Sequence, residues 1–192
     1  MLNVKDIKYN SCSNGKGVRT VVFLSGCPGV VWNKKTKKYE HCSGCFNKEA
    51  WNFDGYEIDE TDVLKSLFPD YIQGLSILGG EPLCKENQQL TAKIIQTVRG
   101  CYGNKKDIWI WTGYIYTKNP FNKNKIPHTE YTKYILDSID VLIDGPFEKD
   151  LFDIDLKYRG SSNQRIIKMW FIKRTKKSAF LFKLKLYKRS YE

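Results

Sequence analysis

The sequence predicts an α/β fold: a partial (β/α) barrel-like parallel sheet, with its ligand site at the C-terminal ends of the strands. Two observations carry this expectation. Short β-branched and aromatic runs alternate with stretches of helical period, the order that gives a parallel sheet covered by helices through right-handed connections. Each apolar run also stops in a polar or glycine-bearing signature, and in such sheets ligands collect where strands end. The chain has 192 residues, one domain's worth, long enough to bury roughly 70% of the surface its unfolded form exposes. About four or five strand–helix units fit an open or partial barrel better than a closed one of eight.

Val21-Val22-Phe23-Leu24 reads as a strand that ends at Ser25-Gly26. Residues 28–41 are polar and basic without helical period and read as a loop. A helix begins at Thr61, with Asp62 in its first turn and Val63, Leu64 and Leu67 as its apolar stripe, and ends before Pro69. Residues 75–78 form a second strand, broken by Gly79-Gly80 and Pro82. Residues 87–99 form a helix with Leu90, Ile94, Ile95 and Val98 on one face. Residues 108–111 are a third strand stopping at Gly113, 131–138 a helix, and 141–143 a fourth strand ending at Asp144-Gly145. In the tail, Phe180, Phe182, Leu184 and Leu186 alternate with Leu181, Lys183, Lys185 and Tyr187, the pattern of an edge strand or of a frayed basic tail. Residues 1–167 read as one domain with a basic insert at 28–41, and 168–192 as a basic C-terminal tail.

Composition bounds the chemistry. Hydrophobic residues are 41% and charged residues 28%, a globular balance rather than a disordered one. No apolar run approaches the roughly 18 residues of a membrane span, and the first residues, MLNVKDIKYN, lack a secretory signal. The expected location is cytoplasmic. The net charge of +11 is uneven. Residues 28–41 hold four lysines and one glutamate, and residues 173–192 hold eight Lys or Arg and one Glu. The high pI therefore belongs to an insert and a tail, and nucleic acid is not an expected partner. His41 and His128 are the only histidines, so a Ser-His-Asp arrangement is not on offer.

The six cysteines are Cys12, Cys27, Cys42, Cys45, Cys84 and Cys101. In a reducing compartment, clustered cysteines point to metal before disulfide. Cys42 and Cys45 share one turn, and Cys27 closes the preceding strand and can reach the same corner. Thiolates suit zinc or an iron–sulfur cluster. Three thiolates on a [4Fe–4S] cubane leave one iron open. A structural zinc would take its fourth ligand from His41, Cys12 or Cys84. The remaining cysteines, Cys12, Cys84 and Cys101, read as small buried residues.

The phrase His41-Cys-Ser-Gly-Cys-Phe-Asn-Lys-Glu-Ala-Trp51 resembles the cluster loop of radical S-adenosylmethionine enzymes. It is most similar to the activating proteins of anaerobic (class III) ribonucleoside-triphosphate reductase. Asn14-Gly15-Lys16-Gly17-Val18-Arg19 resembles that family's Asn-Gly-Pro-Gly-x-Arg segment, with Lys16 in place of proline. Leu78-Gly-Gly-Glu-Pro-Leu83, Trp109-Ile-Trp-Thr-Gly-Tyr114, Asp144-Gly-Pro-Phe147 and Arg159-Gly-Ser-Ser-Asn-Gln164 match in order and spacing, so the resemblance spans roughly residues 5–167.

This resemblance implies a [4Fe–4S] cluster on Cys27, Cys42 and Cys45, and S-adenosyl-L-methionine as cofactor. Gly44, Cys45 and Phe46 would wrap the cluster and lie against the cofactor. Gly79, Gly80 and Glu81 would set backbone groups against the methionine amine, since glycines admit close approach. Trp111 and Thr112 would line the adenosine side, and Asn163 would reach the ribose or the partner. The implied activity is reductive cleavage of S-adenosylmethionine to make a glycyl radical on the large subunit of the reductase. A flavodoxin- or ferredoxin-type donor would supply the electron.

One departure stands out. The usual family spacing leaves three residues between the first two cysteines, whereas fourteen separate Cys27 from Cys42. Closing the eleven extra residues costs well under about 2 kcal/mol, because loop entropy grows only logarithmically. A long gap of this kind is similar to 7-carboxy-7-deazaguanine synthase, which makes a small-molecule radical enzyme the alternative. The insert lysines read as a solvated face or a docking patch for an acidic partner.

Overall fold

The computed structural model describes residues 2–169. Among them the strands, in chain order, are β1 (Leu2–Ser11), β2 (Val18–Leu24), β3 (Val31–Asn33), β4 (Lys38–Glu40), β5 (Tyr56–Ile58), β6 (Ile72–Gly79), β7 (Asp107–Trp111), β8 (Val141–Asp144) and β9 (Arg165–Lys168). The α-helices are α1 (Glu60–Leu67), α2 (Lys85–Tyr102) and α3 (Thr132–Ser138). Seven strands form one sheet in the order β5-β1-β2-β6-β7-β8-β9. The middle strands β2, β6, β7 and β8 are parallel. The flanks are antiparallel: β1 pairs with β2 and β5, and β9 with β8. The expected parallel core is present, the antiparallel flanks are additions to it, and the two end strands do not pair with each other.

Strand alternation sorts the side chains between two faces. Val22, Leu24, Leu75, Ile77, Ile108, Ile110 and Leu142 pack in one core with Val63 and Leu67 of α1, Ile94, Ile95 and Val98 of α2, and Ile135 of α3. Trp109, Val141 and Ile143 bury against Trp111 and Tyr158 on the other face. Burial on both faces is why these strands read as continuous apolar runs.

Helix α1 starts one residue before Thr61, because Asp59 caps it by accepting from Thr61 N at 2.9 Å. Helix α2 is longer than its apolar stripe predicts. Its inner face also buries Asn87, Gln88 and Thr91, whose amides and hydroxyl hydrogen-bond to main-chain carbonyls. Leu90 is only half-buried.

Residues 28–41 are not a featureless loop. They form the β3-β4 hairpin, with Trp32 opposite Tyr39 and their rings edge-on at 5.1 Å. Asn33 makes the turn: its Oδ1 accepts from Lys35 N and Thr36 N, and its carbonyl from Lys37 N. Strands of three residues carry too little alternation to be read in advance, and the asparagine turn is the signal that was available.

Two cysteine expectations are corrected. Cys84 is buried, but Cys12 and Cys101 are exposed. Cys12 follows the last paired residue of β1, and Cys101 lies on the outer side of the last turn of α2. Strand β9 includes Lys168, and Met169 is buried with its N–H on Asp140 O at 2.8 Å. The alternating segment 180–187 lies outside the described residues. Among those described, no helix is long and apolar enough to cross a membrane.

Candidate functional site

Parallel register sets the site. Leu24 stands beside Gly79, Ile77 beside Ile110, and Trp111 beside Ile143. The segments that follow these strands therefore emerge at one edge: Ser25-Gly26-Cys27, Gly80-Glu81, Thr112-Gly113 and Gly145-Pro146-Phe147. Main-chain hydrogen bonds stitch them together. Gly80 N donates to Leu24 O and Glu81 N to Gly26 O, both at 2.8 Å. Gly26 N donates to Ala50 O at 2.8 Å and Cys27 N to Trp51 O at 2.9 Å, which fixes the loop holding Cys42 and Cys45 against Cys27. The approach at Gly80 admits no side chain, since a Cβ there would sit 2.2 Å from Gly26 O. From α2, Asn87 Nδ2 donates to Ser25 O, Gly26 O and Glu81 O at 2.9–3.1 Å.

One cavity results. Its walls bring together Cys27, Cys42, Cys45 and Phe46 with Gly79, Gly80, Glu81, Trp111 and Thr112. Asn47, Phe147, Gly160 and Gln164 are among the further lining residues that were not singled out as site residues. A signal existed for all four, because each lies within a phrase quoted for the family resemblance. Asn47 bonds by its main-chain N–H to Cys45 Sγ and by its amide to Gly79 O, contacts that only the tertiary structure shows. Phe46 is 67% exposed and meets Phe147 and Phe152 at ring distances of 4.9 and 5.8 Å, an aromatic rim on the side of the segment that follows β8.

Two of the expected residues stand behind the walls. Gly44 adopts φ 74° and faces the Lys149 side chain. Asn163 donates to Pro146 O and Glu148 Oε1, holding the turn after β8, while its Oδ1 is buried without a hydrogen-bond partner. Its neighbour Gln164 lines the cavity instead. The Asn14–Arg19 phrase lies at the opposite edge of the sheet. There Arg19 is fully buried, paired with Asp107 at 2.6 Å and placed over Trp109 at 5.1 Å. It braces the amino ends of β2, β6 and β7 and takes no part in the cavity.

Glu81 is a brace as well as a wall. Its carboxylate accepts from Leu83 N (2.9 Å), Thr112 Oγ1 (2.6 Å) and Gly113 N (2.8 Å). Burial pushes it up to about 7 despite those three donors. Burial likewise pushes the Cys27 thiol up to about 12, with the Glu81 charge adding to it, and the Cys42 thiol up to about 11.

These residues fit an iron–sulfur group. Cys27, Cys42 and Cys45 are free, half-buried thiols facing one cavity. Burial keeps Cys27 and Cys42 protonated until a metal displaces the proton, and coordination does so outright. Among the described residues, no three His, Cys, Asp or Glu side chains converge on a single ion. Of the fourth ligands a zinc would need, Cys12 lies at the far edge, Cys84 is buried in the core and does not line the cavity, and His41 turns Nε2 to Cys27 O at 2.8 Å while stacking on Trp51. Beside the thiols, the half-buried Gly79-Gly80 and the Trp111 and Phe147 side chains line the same cavity.

Residues 13–167 match the family model of the 4Fe-4S single cluster domain. The chain is 34% identical over 157 residues to the anaerobic ribonucleoside-triphosphate reductase-activating protein of Enterobacteria phage T4, covering 80% of this chain and 85% of that one. It is 36% identical over 159 residues to the protein of that name from Pasteurella multocida (strain Pm70), covering 80% and 89%. The protein of that name from Escherichia coli (strain K12) is 35% identical over 158 residues, covering 79% and 88%.

Proposed function

Because the chain belongs to the anaerobic ribonucleoside-triphosphate reductase-activating protein family and carries its 4Fe-4S single cluster domain, we propose that it is a radical S-adenosylmethionine enzyme that places a glycyl radical on an anaerobic ribonucleoside-triphosphate reductase. The observation that carries this reading is the meeting of three free thiols with the glycine-rich end of β6 in one cavity. The relatives favour this reading over the deazaguanine synthase alternative.

Cys27, Cys42 and Cys45 supply the thiolates for a [4Fe–4S] cluster. The chemistry such a cluster supplies is one-electron reduction of S-adenosylmethionine, which yields methionine and a 5′-deoxyadenosyl radical able to remove a hydrogen atom from a glycine Cα. The chain's own residues hold and shield. The main chain of Gly79, Gly80 and Glu81 receives the methionine amine. Trp111 and Thr112 wall the adenosine side. Gly44 lets the loop turn around the cluster, Phe46 with Phe147 and Phe152 keeps water from the mouth, and Asn163 fixes the turn that carries Phe147. The electron comes from a flavodoxin- or ferredoxin-type protein, and the reaction takes place in the cytoplasm, with neither membrane nor nucleic acid as partner.

The test is anaerobic incubation of the iron- and sulfide-reconstituted chain with a reductase, S-adenosylmethionine and reductant. A glycyl radical doublet on the reductase in electron paramagnetic resonance is expected. No doublet with the cluster intact would defeat the reading.

A further inference from the structure

We propose that the β3-β4 hairpin is a docking platform for an acidic one-electron donor protein. The inference rests on the function proposed above, which needs an electron from outside the chain.

The hairpin is rooted at the cysteines. Val30 N donates to Glu40 O at 3.0 Å, and His41 Nε2 to Cys27 O at 2.8 Å. Gly29, at φ 83°, makes that closure possible, because a Cβ there would lie 2.8 Å from the Glu40 carbonyl carbon. The far side is braced on the segment after β7. Trp32 N donates to Asn124 Oδ1 at 3.0 Å, Tyr39 OH to Lys123 O at 2.6 Å, and Lys123 Nζ sits 5.5 Å from the Trp32 ring centre. A segment held at its root and along its flank presents its tip in a fixed place.

That tip is strongly basic. Lys34, Lys35, Lys37 and Lys38 are all exposed. The only acid in the hairpin, Glu40, is occupied by Asn33 Nδ2 and Thr36 Oγ1. The bracing segment 113–129 adds Lys118, Lys123 and Lys125 and no Asp or Glu. Four lysines outside the hairpin pair with acids: Lys5–Asp54, Lys65–Asp62, Lys93–Glu60 and Lys133–Asp137. Among the described residues, no lysine of the hairpin does. A field of one sign left unneutralised repels itself in the free chain and speeds encounter with a partner of opposite sign.

Position decides which acidic partner fits. The reductase must deliver a glycine into the cavity, past the rim of Phe46, Phe147 and Phe152 beside the segment after β8. An electron donor needs only to come close to the cluster, and the hairpin stands next to Cys27 and Cys42 on the β7 side. Trp32 and Tyr39 are engaged with each other and with Lys123, so the platform offers charge without the free stacking rings that single-stranded nucleic acids use.

The test compares the full reconstituted chain with Lys34→Glu/Lys35→Glu/Lys38→Glu; Lys37 is spared because it holds φ 55° in the turn. The probe is purified flavodoxin. At low salt, the variant is expected to bind oxidised flavodoxin at least tenfold more weakly and to lose the salt dependence of the wild type. Formation of 5′-deoxyadenosine driven by reduced flavodoxin should fall in parallel, while formation driven by dithionite stays the same. Equal flavodoxin binding by both proteins at low salt overturns the proposal. So does unchanged flavodoxin binding alongside lost affinity for the reductase or for a DNA or RNA oligonucleotide. If dithionite drives no cleavage in the wild type, the proposed function fails, and the binding comparison still decides the platform.

Discussion

Thr112 donates its hydroxyl to Glu81 Oε1 at 2.6 Å, tying the end of β7 to the end of β6 across the cavity wall. The same carboxylate collects Gly113 N and Leu83 N, so a side chain read as a cofactor contact also holds two loops in register. Glu81→Gln replaces one acceptor oxygen with an amide donor facing donors. Loss of about 1–3 kcal/mol of stability is expected from a buried bond of this kind, measured by urea unfolding of the metal-free chain.

Glu81 also gives stability a pH slope. Its carboxyl is raised by burial from 4.5 to about 7 in the folded chain, so the folded state binds the proton more tightly than the unfolded one. The contribution is complete below the unfolded value and is lost as pH rises through the folded value. Unfolding of the metal-free chain should become easier between pH 4.5 and about 7. In Glu81→Gln this part of the slope should vanish; an unchanged slope would assign it to other groups.

Gly80→Ala and Gly100→Ala should behave oppositely. A Cβ at Gly80 meets Gly26 O at 2.2 Å, next to Cys27, so iron content should fall sharply. Gly100 lies inside α2 with nothing within 4 Å of a built Cβ. Alanine there should stabilise the chain by about 0.5–1 kcal/mol through helix propensity, read as a higher urea midpoint with iron content unchanged.

Asp107→Ala strands the fully buried guanidinium of Arg19. Removing one partner of a buried ion pair costs about 3–5 kcal/mol, and the low end is expected because Asp107 is itself 30% exposed. The brace lies at the opposite edge of the sheet from the cysteines. Folded Asp107→Ala, selected at low temperature, should therefore bind iron like the wild type.

The parallel core was legible because its strands are buried on both faces and end in glycine. That Cys27, Cys42 and Cys45 share one place was legible because Cys42 and Cys45 sit on one turn, Cys27 closes a strand, and the phrases around them resemble a known family. What escaped notice depends on tertiary structure. Asn87 is one polar residue on a helix face, and only the fold shows that it holds three carbonyls from the loops after β2 and β6. Arg19 belongs to a matching phrase, yet the register of β2 puts it at the wrong end of the sheet for chemistry. The hairpin hid because three-residue strands carry no period, although Asn33 marked its turn.

Iron and 5′-deoxyadenosine, measured together on anaerobically reconstituted protein with S-adenosylmethionine and dithionite, test the central claim most directly. The wild type and Cys12→Ala, Cys84→Ala and Cys101→Ala should hold the cluster and form the nucleoside, whereas Cys27→Ala, Cys42→Ala and Cys45→Ala should do neither. A wild type that takes up no iron, or a Cys42→Ala protein that cleaves as fast as the wild type, would contradict it.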